Sequence, residues 1–424
     1  MIKKWLQKFS VILLCFILLF LSGCQSKNIS NNNVIHLTLW HGMNPPPNRE
    51  VFQKLVDKFN RNHPDIQVES LYIGQSDQQM PKILTAVVGN SPPDMFWFDS
   101  LITGRLVELG AIKPLEDWLN NSPLKREIEP SLFEGMELNG HIWSIPFTTS
   151  NLGIYYRPSL FKAAGITKLP ETWEELRQAA KKLTVDKNGD GQIDQYGIML
   201  PLGKGEWTVF SWLPFMFSGG GELLKDNKPN LVNPGAIAAL QFWSDLLKDG
   251  SAILSEPERG YEEDRLVAGK IAMQITGPWT LNYFQKAGID FAVMPIPSGK
   301  KKGTVVGGAN IFVMKTTTER EKASLAFLEY VLSEEFQTKL FVETGSLPIN
   351  IKSKKSKAYQ EFVAKQPAFK VFLEQMPWAR SRPIISKYSI LSENLGRAIE
   401  ETLLGNSPEK ALEKTQGRLK LIWD

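Results

Sequence analysis

The sequence predicts an α/β protein of at least two lobes, and two observations carry that prediction. At 424 residues the chain exceeds what one hydrophobic core usually serves. Its first hundred residues then run strand, helix, strand, helix, strand, the alternation that builds a sheet covered by helices. A composition of 42% hydrophobic and 22% charged residues excludes a disordered, fibrous or collagen-like chain.

Before the first strand comes a segment with its own grammar. Residues 1–8 are basic, Val11 to Leu21 is continuously apolar, and Ser22 and Gly23 precede Cys24. That order is the one of an export signal, and the apolar run is shorter than the roughly 20 residues a spanning helix needs. Residues 1–23 are therefore expected to be removed. Residues 24–33 are polar and have nothing to bury, as a flexible tether would.

His36-Leu37-Thr38-Leu39-Trp40 alternates polar and apolar residues, predicting a strand that ends near Trp40. Val51, Phe52, Leu55, Val56 and Phe59 recur at helical spacing, and His63-Pro64 stops that helix. Ile66 to Ile73 reads as a strand, Met80 to Val88 as a helix, and Asp94 to Phe98 as a short buried strand. Thr172 and Glu175 have capping-box spacing, so a helix should run to about Leu183. Pro234 to Leu247 is amphipathic and stops at Gly250. Strands are expected over Ile271–Ile275, Phe291–Met294 and Ile311–Met314, with helices dominating after Glu319.

Charge and missing motifs narrow the function. Without residues 1–23 the chain carries 46 basic against 45 acidic side chains, so nothing supports a nucleic-acid partner. The lysine clusters at Lys300–Lys302 and Lys352–Lys357 read as solvated loops. Both cysteines, Cys15 and Cys24, fall in the leader region, which leaves none in the folded body for a disulfide or a metal. His36, His41, His63 and His141 form no HExxH pattern, and neither a G-x-S-x-G elbow nor a phosphate-binding loop occurs. A glycosidase pair of carboxylates has no fixed spacing and stays open as a remote alternative.

Two features do carry chemistry. Of twelve tryptophans, Trp40, Trp207, Trp212, Trp279 and Trp378 lie beside glycine, proline or hydrogen-bonding residues, where an indole can stack on the C–H face of a sugar or polyol. Separately, Asp186, Asn188, Asp190, Gln192 and Asp194 occupy the oxygen-ligand positions of a calcium loop, with Gly191 at the turn. Position 12 is Gly197 where a bidentate Glu would stand, and a turn-rich hairpin without an ion explains the same residues. Either way the segment is structural.

Several short strings stand in order along the chain, among them Leu37-Thr38-Leu39-Trp40-His41-Gly42-Met43, Asn90-Ser91-Pro92-Pro93-Asp94, Ile145-Pro146-Phe147, Tyr155-Tyr156-Arg157, Gly219-Gly220-Gly221, Gly277-Pro278-Trp279, Gly307-Gly308-Ala309-Asn310 and Thr344-Gly345-Ser346-Leu347-Pro348. Together they resemble the extracellular solute-binding proteins that feed carbohydrate ABC importers. Leu21-Ser22-Gly23-Cys24 likewise resembles the lipobox of bacterial lipoproteins, with Cys24 lipidated. The resemblance implies a two-lobed periplasmic-binding-protein fold that closes over its ligand by hinge motion. One lobe would comprise residues 34–147 and 305–347, the other 148–304 and 348–424, with hinges near Phe147–Asn151 and Val305–Gly308. The ligand positions it implies are Trp40, His41, Asp99, Ser100, Ser150, Trp207, Trp212, Trp279, Gly308, Ala309, Asn310, Trp378, Arg380 and Arg382. Two departures, Ser150-Asn151-Leu152 after the Pro-Phe motif and Ser346 where many relatives have tyrosine, leave the ligand's identity open.

Leader, composition and resemblance together imply a lipid-anchored exported monomer, not an enzyme, facing the periplasm or exterior. It would take a small uncharged carbohydrate to permease subunits of an importer, needing no cofactor beyond the candidate structural calcium. The alternative is a glycerol-3-phosphate or glycerophosphodiester ligand, for which Arg380 or Arg382 would pair with phosphate.

Overall fold

The computed structural model describes residues 34–256 and 262–423. The expected signal, Cys24 and the tether lie outside the described residues. Strands β1 (Ile35–His41), β2 (Ile66–Tyr72), β3 (Met95–Phe98) and β4 (Ile145–Ser150) precede β5 (Gly153–Tyr156), β6 (Tyr196–Leu200), β7 (Ala252–Leu254), β8 (Ile271–Thr276) and β9 (Ala292–Met294). They are followed by β10 (Thr304–Val305), β11 (Gly307–Val313) and β12 (Ala379–Arg380). One sheet has the order β2-β1-β3-β11-β4, and the other β7-β6-β8-β5-β9. In the first, β2, β1 and β3 are parallel, while β11 runs antiparallel to β3 and β4. The second repeats the scheme: β7, β6 and β8 are parallel, and β5 is antiparallel to β8 and β9.

The chain passes from the first sheet to the second between β4 and β5, through Asn151 and Leu152. It returns between β10, which pairs with β12, and β11. Buried amides pin the first of these passages. Asn151 Nδ2 donates to Phe372 O at 2.7 Å, and Gln375 Nε2 donates to Leu152 O at 3.1 Å.

Helices cover the sheets because each presents an apolar face. In α1 (Pro46–Asn62), Val51, Phe52, Leu55, Val56 and Phe59 are buried against β1 and β2. Next, α2 (Ser76–Val88) begins four residues before the apolar pattern suggests, since Gln75 and Gln78 cap it reciprocally. The Thr172–Glu175 box is present at the start of α3 (Trp173–Leu183), where such a cap is worth about 1 kcal/mol. In α4 (Glu206–Ser218) every residue from Thr208 onward is buried, so there is no polar face for a sequence pattern to reveal. Four more helices have 15 or 16 residues, α5 (Pro234–Lys248), α6 (Thr318–Leu332), α7 (Tyr388–Leu403) and α8 (Pro408–Trp423), and α4, α5, α7 and α8 share one core. Among the described residues no helix is long and apolar enough to cross a membrane.

An ion pair with one buried partner ties the first lobe together. Asp94, its side chain inaccessible to solvent, accepts from Arg320 Nε at 2.6 Å and from the Thr38 amide at 2.7 Å, linking β1, β3 and α6.

Candidate functional site

In both sheets the parallel strands end on the same side, toward the other lobe, where their terminal loops have free backbone groups and no neighbouring strand. Gly42 to Asn44 follow β1, Gln75 to Asp77 follow β2 and Asp99 follows β3. From the second lobe come Leu202 to Gly205 after β6, Ser255 and Glu256 after β7, and Trp279 after β8. Together they enclose a cleft of about 880 Å³, floored by Thr148 to Ser150 and Gly308–Ala309 from the passages between lobes. That volume falls within the roughly 300–1,000 Å³ of small-molecule sites.

Two indoles form its aromatic wall. Trp207 at the start of α4 and Trp279 after β8 both line the cleft, with ring centroids 6.2 Å apart and planes at 69°. An ion bridge also lines the cleft. Arg382 Nη1 donates to Glu206 at 2.6 Å and Nη2 donates to Asp99, while the guanidinium lies 4.6 Å from the Phe210 ring. Tyr388 and Ser392 also donate to Glu206. Burial holds the Glu206 carboxyl above the usual carboxylate range, although the Arg382 charge pulls the other way. Burial works against the charge on Arg382 as well, and Asp99 and Glu206 more than offset it. The bridge joins the lobes, because Asp99 follows β3 of the first sheet and Glu206 begins α4 of the second lobe. Two further contacts cross the cleft, from Glu206 N–H to Asp77 Oδ1 at 3.1 Å and from Asn48 Nδ2 to Trp279 O at 3.0 Å.

The structure brings Asp99, Ser150, Trp207, Trp279, Gly308, Ala309 and Arg382 to this cleft. Ser100, Asn310 and Arg380 line a second cavity beyond Arg382 instead. There Asn310 Nδ2 is already committed to Gly135 O and Ser144 Oγ, and Arg380 pairs with Glu222 at 3.2 Å.

Four expected contacts are corrected. Trp40 packs on the Ile83 and Phe96 cluster on one face of the first sheet. His41 faces the other way, 3% exposed between Phe52 and Tyr72, with its pKa lowered to about 4 by burial and by Arg49. Trp212 is fully buried in the second lobe's core, and Trp378 lies under Lys302 outside both cavities.

In the 186–194 segment the side-chain oxygens serve the loop itself. Asp186 accepts from the Gly189 and Gly191 amides, Asp190 from Gln192, Asn188 from Asp190, and Asp194 from Lys187. Gly189 and Gly191 take φ of 77° and 85°, which this turn demands. Among the described residues no three His, Cys, Asp or Glu side chains converge as a metal would need.

Sequence reasoning missed Met43, Asn48, Gln75, Gln79 and Trp97 in the cleft. Position after a parallel strand was the available signal for Met43 and Gln75. Trp97 read as part of a buried strand, and Gln79 lies just outside the helix expected from Met80. At Gly42 a Cβ would stand 2.7 Å from the Gly74 carbonyl oxygen, so glycine is what lets this loop lie against the one before α2.

Known proteins share this architecture. The family model described as bacterial extracellular solute-binding protein matches residues 54–370. The sn-glycerol-3-phosphate-binding periplasmic protein of Brucella melitensis is 25% identical over 354 residues, 80% of each chain. A maltotriose-binding protein of Pyrococcus abyssi is 23% identical over 321 residues, 74% of this chain and 66% of that one. The solved solute-binding protein of Thermotoga lettingae bound with α-D-tagatose superposes with a TM-score of 0.82 at 26% identity, covering 92% of this chain and 100% of that one.

Proposed function

The chain belongs to the bacterial extracellular solute-binding proteins, and from that premise we propose that it captures a small uncharged carbohydrate between its lobes and delivers it to the permease of an ABC importer. The observation that carries the reading is the cleft itself: two convergent indoles beside a fixed set of carboxylate, amide and hydroxyl groups. Indole faces suit the apolar faces of a sugar ring, and the polar groups suit its hydroxyls. Relatives whose names record tagatose and maltotriose support a sugar.

A phosphate ligand fits this lining less well. Among the described residues of the cleft, Asp77, Asp99, Glu206, Glu256, Glu393 and Glu400 stand against only Lys204 and Arg382, and Arg382 is already shared between two carboxylates. Glu256 and Glu393 pair with Arg265 and Arg397 outside the lining, so what disfavours an anion is that the one arginine among these described lining residues, Arg382, is shared.

The first lobe would comprise residues 34–147 and 305–347 and the second 148–304 and 348–424. Lipidated Cys24 would anchor a monomer to the membrane through residues 25–33, and binding would proceed without turnover.

Thermal melting against monosaccharides, disaccharides, glycosylglycerols and glycerol phosphates tests the reading. Ligand at a hundred times its Kd adds roughly 2.7 kcal/mol of stability, a shift of a few degrees. A shift with a neutral sugar, which chromatography recovers unchanged, is expected. A shift with glycerol phosphates alone, or a glycoside hydrolysed on incubation, would overturn it.

A further inference from the structure

We propose that the Asp99–Arg382–Glu206 bridge divides the interlobe cleft into two compartments with one floor, and that the far compartment is a subsite for a further ring of an extended glycan. The inference rests on the carbohydrate reading above and narrows it to oligosaccharides longer than the main compartment holds alone.

The far compartment has a volume of about 410 Å³, ample for a small polar ring. Both lobes build it. Ser131 and Glu134 come from the first, Phe217 and Glu222 from the second, and Ser381 follows β12. Its polar groups include donors and acceptors, which is what hydroxyls require, since each both gives and takes a hydrogen bond. Arg380 lies 4.9 Å from the Phe217 ring and pairs with Glu222, presenting a flat, fixed guanidinium.

The two compartments communicate along their base. Thr148, Thr149 and Gly308 line both, as does Asp99. Gly308 has φ of 145°, and a Cβ there would stand 2.3 Å from Thr148 O, so no side chain rises from the floor at that point. Beside this passage Asp99 accepts from the Leu101 amide through one oxygen and from Arg382 through the other, with 21% of its side chain still exposed. A carboxylate accepts about four hydrogen bonds, so Asp99 retains capacity for hydroxyls on either side of a glycosidic link.

The test measures Kd by calorimetry for gluco-, galacto- and manno-oligosaccharides of one to five rings. Wild type is compared with Ser131→Trp and Ser381→Trp, two exposed positions that line only the far compartment, after melting curves establish that each variant folds. In wild type, affinity for one series should rise about tenfold or more when a ring is added beyond the length the main compartment holds. Both variants should cancel that rise and leave the Kd of the shorter member unchanged. A rise that survives both variants, or no rise with length while short sugars bind, would overturn the subsite alone. Failure of every sugar to bind wild type would instead overturn the carbohydrate reading and the subsite with it.

Discussion

Five residues separate Trp207 from Trp212, about 140° around a helix, so α4 can turn only one of them to the cleft. Replacing each with alanine should therefore give opposite results. Trp207→Ala should weaken sugar binding about 30-fold, or ~2 kcal/mol, with little change in melting temperature. Trp212→Ala should cost about 3–5 kcal/mol of stability in denaturant and leave the affinity of the folded protein unchanged. Calorimetry and urea titration of both variants check this. His41 makes a separate prediction. Its folded pKa of about 4 lies below the unfolded value near 6.5, so the unfolded chain binds more protons between those values. The stabilisation is full above pH 6.5 and is lost as pH falls through the window to 4, amounting to about 3 kcal/mol. The stability difference between wild type and His41→Leu should shrink by that amount from pH 7 to pH 4, and a pH-independent difference would contradict the assignment. Which face a tryptophan takes was not legible, because neighbouring glycines and polar residues are shared by cleft loops and core turns alike.

Among the elements, those with a one-sided pattern were legible and those buried all round were not. The alternation in His36–Trp40, the helical spacing from Val51 to Phe59 and the Thr172–Glu175 cap all correspond to observed elements. Helix α4 carries no stripe, and it holds Glu206, Trp207 and Phe210 at the site. Strand β11 begins at Gly307, earlier than Ile311, because its glycines hide the start of the pattern. The 186–194 loop is expected to hold calcium weakly at most, since Gly197 stands where a calcium loop has its bidentate Glu. The protein's melting temperature should be nearly the same in EDTA and in millimolar calcium, and a large increase with calcium would contradict that. The Asp94–Arg320 pair anchors α6 to the first sheet, and Arg320 can reach water once the carboxylate is gone, so Asp94→Asn should destabilise the protein by about 1.5 kcal/mol in urea.

At the scale of the whole molecule, the fold consists of two repeated α/β sheets with their helices and three passages between the lobes, the third after residue 347, and the order of short motifs foreshadowed this better than any periodicity did. Three contacts cross the cleft, and Asn282 Nδ2 donating to Glu343 O also joins the lobes. Arg382→Met leaves Asp99 and Glu206 facing each other unpaired, so the ligand-free variant should open and show a larger radius of gyration by small-angle scattering, with saturating sugar restoring the compact value. An unchanged radius would mean that the bridge does not govern closure. The most direct test of the central claim is a crystal structure with the sugar that gives the largest melting shift. The account predicts a ring in contact with Trp207 and Trp279, with hydroxyls on Asp99 and the floor at Thr148 to Ser150. A sugar seated away from both indoles would contradict it.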